Sequence, residues 1–259
     1  MHISAADQQS LDLEGYLFLP NLMGDELLGR LRAAVGQLFD REGAQAGSEF
    51  KQEPGCRRLA NLVNKGAVFQ EMILHSIVLE LVESVLGDRF KLSSLNARQV
   101  LPGCDQPQPL HADMAAIPDE AGFWVCNTIW MLDDFTSENG APRIVPRSHR
   151  FNALPAERIE DLNAAHPDEK VICGPAGSVI VMNAHAWHGG MPNRTDNSRT
   201  AVHAFYARWD KPQQQYQRRL LDSDLQASFS PHLRQLLALD DSLNDELSAG
   251  EVVRSGFMK

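Results

Sequence analysis

Between residues 90 and 210 the chain consists of short segments rich in β-branched and aromatic residues, separated by turn-forming residues. Segments such as FKLSSLNARQVL, FWVCNTIWML, GSVIVMNA and RTAVHAFYARW have the length and composition of strands. Proline, glycine and an Asn-Gly pair interrupt the chain between them. There is no strand–helix alternation with a G-x-G-x-x-G turn, so a dinucleotide-binding fold is disfavoured. The pattern favours a β-sandwich or jelly roll.

Helical patterns flank this region on both sides. Residues 11–22 read as a short strand, a helix capped by Asp25 follows, and a second helix is predicted over about 67–86. Helices are also predicted over 211–240, the last one beginning at Ser230-Pro231, and the acidic run DDSLNDE is expected to be a solvated tail. We therefore expect one mainly β domain over 1–259, with an N-terminal strand and helices over 11–87, a jelly-roll core over about 90–210 and C-terminal helices.

Charge and composition exclude several classes of partner. The 259 residues carry a formal net charge of −10, which disfavours nucleic acid and anionic membrane surfaces. No apolar run is long enough to span a bilayer, and the polar N-terminus has no signal-peptide core. The four cysteines form no C-x-x-C pair, which argues against a disulfide framework or a cysteine zinc cluster and predicts a cytoplasmic location. The oligomeric state cannot be read from the sequence.

The triplet His111-Ala112-Asp113 is the first candidate for chemistry. In an extended strand, residues two apart point to the same face, so an imidazole and a carboxylate would converge there. With a second histidine from a distant strand they would form a 2-His-1-carboxylate triad, which leaves metal positions open and suits Fe(II) and O2. On its own, an H-x-D triplet is a weak signal.

A downstream segment supplies the missing partners. It contains His185 and His188, and Arg199 follows His188 by eleven positions. The planar guanidinium of an arginine can grip a carboxylate with two hydrogen bonds, as a dicarboxylate co-substrate would require. Gly189 and Gly190 are expected to relieve crowding where a substrate approaches the metal.

The ordered set QPQPLHADM, WMLDDFTSENGAPRIVPRSH and WHGGMPNRTDNSRTAVHAFY resembles the phytanoyl-CoA dioxygenase family of Fe(II)/2-oxoglutarate-dependent oxygenases. The resemblance covers roughly residues 11–210. It implies a double-stranded β-helix core with iron at its mouth. It also implies oxidation of a small organic molecule, most simply hydroxylation, with O2 and 2-oxoglutarate consumed and succinate and CO2 released.

The resemblance also assigns residues. His111, Asp113 and His188 are implied as iron ligands, and Arg199 as the partner of the far carboxylate of 2-oxoglutarate. Gln108, Asn127 and Asn96 match positions that touch the co-substrate in related enzymes. No catalytic residue beyond the metal ligands is implied.

Several alternatives stay open at this point. His185 could replace His188 as the distal ligand, although its odd offset places the two on opposite faces of an extended segment. His203 lies beyond Arg199 and is expected to be a core residue or to support the ligands. A one-residue shift would turn Asn127 away and aim Thr128 at the site. The same triad could bind zinc in a hydrolase or lyase, and the scaffold could serve a non-catalytic binding protein.

Residues 40–66 are polar and aperiodic, which is typical of a functional loop. Arg57, Arg58 and Lys65 give this segment a positive charge in an acidic chain. We expect either a mobile surface loop or a lid that closes over the iron and meets an anionic group of the substrate.

Overall fold

In the computed structural model, which describes residues 3–48 and 54–250, nine strands form two antiparallel sheets. The strands are β1 (Tyr16–Leu19), β2 (Cys56–Leu59), β3 (Phe90–Val100), β4 (Val125–Met131), β5 (Pro142–Ile144), β6 (Lys170–Val171), β7 (Val179–Asn183), β8 (His188–Gly190) and β9 (Arg199–Arg208). The larger sheet has the order β1-β7-β4-β9-β3-β2, and the smaller has the order β6-β5-β8. Two such sheets facing one another form the predicted jelly-roll core.

Side-chain alternation gives the larger sheet two different faces. On β9, Val202, Ala204 and Tyr206 point outward into the main apolar core, which they share with the helices. Ala201 points inward and packs with Ile144 of the smaller sheet in a second apolar cluster. Arg199 and His203 lie on this inner face because they are two residues away from Ala201 in either direction. Inner-face residues therefore surround the space between the sheets.

Eight α-helices cover the outer face and the ends of the chain that the structure describes. They are α1 (Ala5–Glu14), α2 (Gly24–Glu42), α3 (Ala67–Ile73), α4 (Ser76–Leu86), α5 (Gln217–Leu220), α6 (Ser223–Ser228), α7 (Pro231–Leu236) and α8 (Ser242–Ala249). Apolar side chains of α2, α3, α4 and α7 pack against the outer face of the larger sheet. None of the helices in residues 3–48 and 54–250 is long and apolar enough to cross a membrane.

The prediction of a strand over 11–22 is wrong for its first part. Residues up to Glu14 belong to α1, which begins with a reciprocal capping box between Ser4 and Asp7. Gly15 ends this helix with φ of 83°, and only Tyr16–Leu19 are extended. Leu11 and Leu13 alternate with a polar residue as in a strand, although in α1 only Leu11 is buried and Leu13 is exposed.

Other boundaries also differ from expectation. The helix predicted over 67–86 is divided between α3 and α4, and Asp25 lies within the first turn of α2 instead of capping it. The cap at Ser230 is confirmed, since its hydroxyl accepts a hydrogen bond from the Leu233 amide. The run DDSLNDE is not a solvated tail, because Asp241 caps α8 and Asn244 is buried.

Most of the segment 40–66 has regular structure and is not the aperiodic loop expected. It contains the end of α2, two short 3-10 helices and β2, which pairs with β3, while residues 49–53 lie outside the described residues. The guanidinium of Arg57 lies 4.6 Å from the Phe39 ring centroid, and Lys65 pairs with Glu42 at 2.7 Å. Both groups are thus engaged with the framework of the protein. The single-domain boundaries stay a prediction.

Candidate metal centre

His111 and His188 are brought together by main-chain hydrogen bonds. The His111 amide donates to the His188 carbonyl at 2.8 Å, and the His188 amide donates back to the His111 carbonyl at 2.9 Å. This reciprocal pair is the closely spaced rung of an antiparallel ladder. It aligns the two side chains, whose ring centroids are 4.4 Å apart. Main-chain hydrogen bonds therefore place two candidate metal ligands from distant parts of the chain side by side.

Asp113 completes the group at the same point. One carboxylate oxygen, Oδ1, lies 3.7 Å from Nε2 of His111 and 3.7 Å from Nε2 of His188. Candidate ligand atoms of the three residues all lie within 4.8 Å of one another. The sequence argument assumed that Asp113 lies in an extended strand, but it does not. It begins a short 3-10 turn in which Met114 and Ala115 have positive φ, a strained conformation for residues with a side chain.

The outer nitrogens of the imidazoles are already engaged. Nδ1 of His111 contacts the Pro109 carbonyl at 2.9 Å, and Nδ1 of His188 contacts the Ala186 carbonyl at 2.9 Å. A carbonyl only accepts hydrogen bonds, so each Nδ1 carries the proton and each Nε2 keeps a lone pair for a metal. This donor set of two neutral imidazoles and a carboxylate fits a divalent cation such as Fe(II).

Electrostatics favour the ligating forms of two of the residues. Burial raises the pKa of Asp113, but the two neighbouring imidazoles of His188 and His111 and the hydrogen bond from Asn127 outweigh it and hold the pKa well below its usual range. Burial lowers the pKa of His188 to about 4, so its imidazole is neutral at pH 7. For His111 burial lowers the pKa, but the negative charge of Asp113 beside it outweighs burial, so the net pKa is raised. A bound cation would compete with that proton.

His185 and His203 are not part of the triad. Nδ1 of His185 contacts Oδ1 of Asn183 at 2.9 Å, and the ring packs against Phe123 and Trp124. The preference for His188 over His185 thus agrees with the geometry. His203 lies on the inner face of β9 opposite Asn96, consistent with the supporting role expected for it.

Arg199 lies inside the protein at the start of β9. Its side chain is 4% exposed, donates to the Gly140 carbonyl and lies over the Phe135 ring, with its guanidinium carbon 4.3 Å from the ring centroid. Burial lowers its pKa to about 9, and the nearby charge of Arg98 adds to this. Its Nε has no hydrogen-bond partner within the described parts of the chain. A buried cation with an unsatisfied donor fits a site for a carboxylate.

The other predicted contacts occupy different positions. Asn127 donates to Oδ2 of Asp113 at 2.9 Å, so it supports a metal ligand, and it points inward where Thr128 does not. Gln108 accepts a hydrogen bond from Arg98 at 3.0 Å and lies against β8. Asn96 is farther along the inner face and accepts a hydrogen bond from Gln215 at 2.5 Å. Their contact with a co-substrate stays a prediction.

Sequence reasoning overlooked Arg98, which lies on the inner face near the triad. Its guanidinium donates to Gln108 and to Sγ of Cys56, at 3.0 and 3.2 Å. Its charge lowers the pKa values of both His111 and His188. The available signal was the two-residue spacing from Asn96 on a predicted strand, which places both residues on one face.

Comparison with known proteins now identifies the fold family. Residues 11–201 match the family model described as phytanoyl-CoA dioxygenase. The chain belongs to this family. It is also 30% identical over 255 residues to the dioxygenase af480 of Aspergillus fumigatus, covering 92% of this chain and 78% of that protein. A probable phytanoyl-CoA dioxygenase of Caenorhabditis elegans is 22% identical over 240 residues, covering 80% of this chain and 76% of that protein.

Solved structures agree with the fold. HygX from Streptomyces hygroscopicus, solved with nickel and 2-oxoglutarate bound, superposes with a TM-score of 0.68 at 19% identity, covering 82% of this chain and 90% of HygX. The predicted jelly-roll core is therefore confirmed. Family membership and the triad together confirm the prediction of an Fe(II)/2-oxoglutarate-dependent dioxygenase.

Proposed function

We propose that this protein hydroxylates a small organic molecule, with Fe(II) held by His111, Asp113 and His188 and with 2-oxoglutarate anchored by Arg199. The observation that carries the proposal is the coexistence of the triad with a buried arginine on the facing sheet. Fe(II), 2-oxoglutarate and O2 together supply oxidation of a substrate C–H bond, with release of succinate and CO2. The protein's own task is to position the reactants and exclude water.

The residues divide this task between them. The Nε2 atoms of both histidines and the carboxylate of Asp113 supply the metal ligands, and Asn127 holds that carboxylate in place. Arg199 opposes the negative charge at the far end of the co-substrate. A zinc hydrolase or lyase would use the triad, but it would give the buried Arg199 no role.

The proposal is tested by anaerobic titration of the Fe(II)-loaded protein with 2-oxoglutarate, followed by addition of O2. Chelation of iron by a 2-oxo acid produces a visible charge-transfer band, and subsequent turnover converts 2-oxoglutarate to succinate. A band followed by succinate formation is expected. A zinc enzyme or a non-catalytic binding protein would produce neither.

Arg199→Leu tests the anchor separately. Removing one partner of a buried charge pair costs about 3–5 kcal/mol, so 2-oxoglutarate affinity is expected to fall by roughly two to three orders of magnitude. Fe(II) binding should be retained because Arg199 is not a metal ligand. Equal titration of the band in both proteins would assign the far carboxylate to another residue.

The substrate is proposed to be a small molecule, and the location cytoplasmic. HygX has also been solved with hygromycin B bound, which supports a small-molecule substrate for the fold. The four cysteines are free thiols, as suits a reducing compartment. The net charge of −10 supports the absence of a nucleic-acid or anionic-membrane partner. Mass spectrometry of products from candidate natural-product and lipid substrates tests hydroxylation against desaturation or ring closure.

A further inference from the structure

Arg98 lies on the same inner face of the larger sheet as Arg199. In the register of β3 with β9, Arg98 is opposite Ala201 and Val100 is opposite Arg199. Residues two apart on a strand share a face, so the side chains of Arg98, Val100 and Arg199 all point toward the smaller sheet. Gly140 lies against this set, since a Cβ added there would be 3.2 Å from Val100 and 3.5 Å from Arg199.

The guanidinium of Arg98 reaches across to β8 through Gln108. Its Nη1 donates to Oε1 of Gln108 at 3.0 Å. Gln108 in turn is attached to β8, because its amide donates to the Gly190 carbonyl at 2.8 Å. A Cβ added to Gly190 would lie 3.6 Å from the same Oε1. The Arg98 guanidinium is thus held beside Gly190, two residues after the metal ligand His188.

The register of the smaller sheet shows where the Arg98 guanidinium lies relative to the proposed metal site. His188 is opposite Ile144 at the metal end, and Gly190 is opposite Pro142. Gly140, two residues further, accepts the hydrogen bond from Arg199. Arg98 is therefore held between the metal ligands and Arg199.

We propose that Arg98 is a further co-substrate-binding residue, which donates to the carboxylate of the 2-oxo acid end while Gln108 fixes its orientation. This inference rests on the proposed function. A guanidinium has several donors in one plane, so Arg98 can keep its bond to Gln108 and donate to a carboxylate as well. The far carboxylate already has Arg199, whereas Gln108 holds the guanidinium of Arg98 beside β8, two residues from His188.

The test compares two 2-oxo acids in anaerobic titrations of the charge-transfer band. 2-Oxopentanoate has the same 2-oxo acid end as 2-oxoglutarate but lacks the second carboxylate. Arg98→Met is expected to weaken both ligands by the same factor, about 10- to 100-fold for loss of a charged hydrogen bond. Arg199→Leu is expected to weaken 2-oxoglutarate and leave 2-oxopentanoate unchanged.

Two further variants serve as controls. Arg57→Met removes an arginine from the neighbouring strand whose side chain packs on the Phe39 ring, and it should leave both titrations unchanged. Arg98→Lys keeps the charge without the planar fork, and it should recover part of the affinity. It also provides a folded variant if Arg98→Met does not fold, as judged by circular dichroism and Fe(II) calorimetry.

The outcomes separate this inference from the function on which it rests. If the wild-type protein gives no band, the proposed function fails. If it gives a band that Arg98→Met and Arg98→Lys leave unchanged, only the role of Arg98 is overturned. A loss confined to 2-oxoglutarate overturns the assignment of Arg98 to the 2-oxo acid end.

Discussion

At the scale of single residues, the ionisation of the Asp113 carboxylate depends on the side chains around it. Its carboxylate is close to two imidazoles and accepts a hydrogen bond from Asn127 at 2.9 Å. These neighbours keep it ionised, as a metal ligand must be. A strained turn with positive φ at Met114 and Ala115 follows it directly in the chain.

We expect Asp113→Ala to remove most Fe(II) affinity while the fold is retained, because the substitution removes a ligand and not an apolar core residue. Asn127→Ala should have a smaller effect, about 10- to 100-fold, as is typical for loss of a residue that orients a ligand. Anaerobic calorimetry with Fe(II) measures both. His185→Ala is the matched control, since it alters a buried histidine outside the triad. Undiminished affinity in Asp113→Ala would contradict the ligand assignment.

Lys91 is a buried lysine that is not part of the triad, and its burial affects the stability of the protein. It is 2% exposed and donates to the Trp209 carbonyl at 2.9 Å. Burial lowers its pKa from 10.5 to about 8. In the window between these values the unfolded chain binds the proton more readily than the folded protein. This group therefore destabilises the fold at neutral pH, and its contribution to stability improves as the pH rises from about 8 to 10.5.

Comparison of wild type with Lys91→Met isolates this effect from other titrating groups. The free energy of unfolding of the wild type should rise relative to that of the variant between pH 8 and pH 10.5. Urea denaturation at a series of pH values measures the difference. A difference that is constant over this range would show that the amine titrates normally.

At the scale of secondary-structure elements, the pair Gly189-Gly190 on β8 shows two unequal roles. A Cβ on Gly189 would lie 2.5 Å from the Gln108 carbonyl oxygen and 3.2 Å from that of Pro109. A Cβ on Gly190 would make an ordinary contact at 3.6 Å. Gly189 thus allows the backbone leading to His111 to approach β8. Gly189 is thus required by a backbone contact, and room for substrate at Gly190 stays a prediction.

Gly189→Ala is therefore expected to displace the segment that carries His111, and so to weaken Fe(II) binding and lower stability. Backbone atoms cannot move aside as a flexible side chain can, so a cost of about 1–3 kcal/mol is expected for the overpacked contact. Gly190→Ala should be close to wild type. Thermal unfolding and Fe(II) calorimetry of the two variants test the contrast, which equal effects would refute.

The sequence predicted elements better than it predicted their ends or their long-range contacts. β4 and β9 follow from β-branched and aromatic composition, and the candidate metal ligands follow from an ordered motif. The helix α1 was partly missed because the two leucines at 11 and 13 alternate like a strand, although Ser4 and Asp7 offered a capping signal. The spacing of Arg98 from Asn96 predicts the face on which it lies, but its position beside Gln108 and β8 depends on long-range register, which local sequence does not specify.

At the scale of the whole molecule, the triad joins segments that are far apart in the chain. His111 and Asp113 follow β3, whereas His188 belongs to the smaller sheet. A metal that binds only the folded protein stabilises it, by about 2.7 kcal/mol at a free concentration of 100 times the dissociation constant. We expect anaerobic Fe(II) to raise the free energy of unfolding of the wild type by this amount. His185→Ala should respond equally and Asp113→Ala should not, and an increment in Asp113→Ala would place the metal elsewhere.

The reciprocal backbone hydrogen bonds between His111 and His188 also bear on how the protein behaves when iron is scarce. These hydrogen bonds join main-chain atoms only, so the backbone positions the two imidazoles without a contribution from the metal. We therefore expect removal of Fe(II) by a chelator to leave the protein folded and able to bind iron again, unlike a zinc finger, which unfolds without its metal.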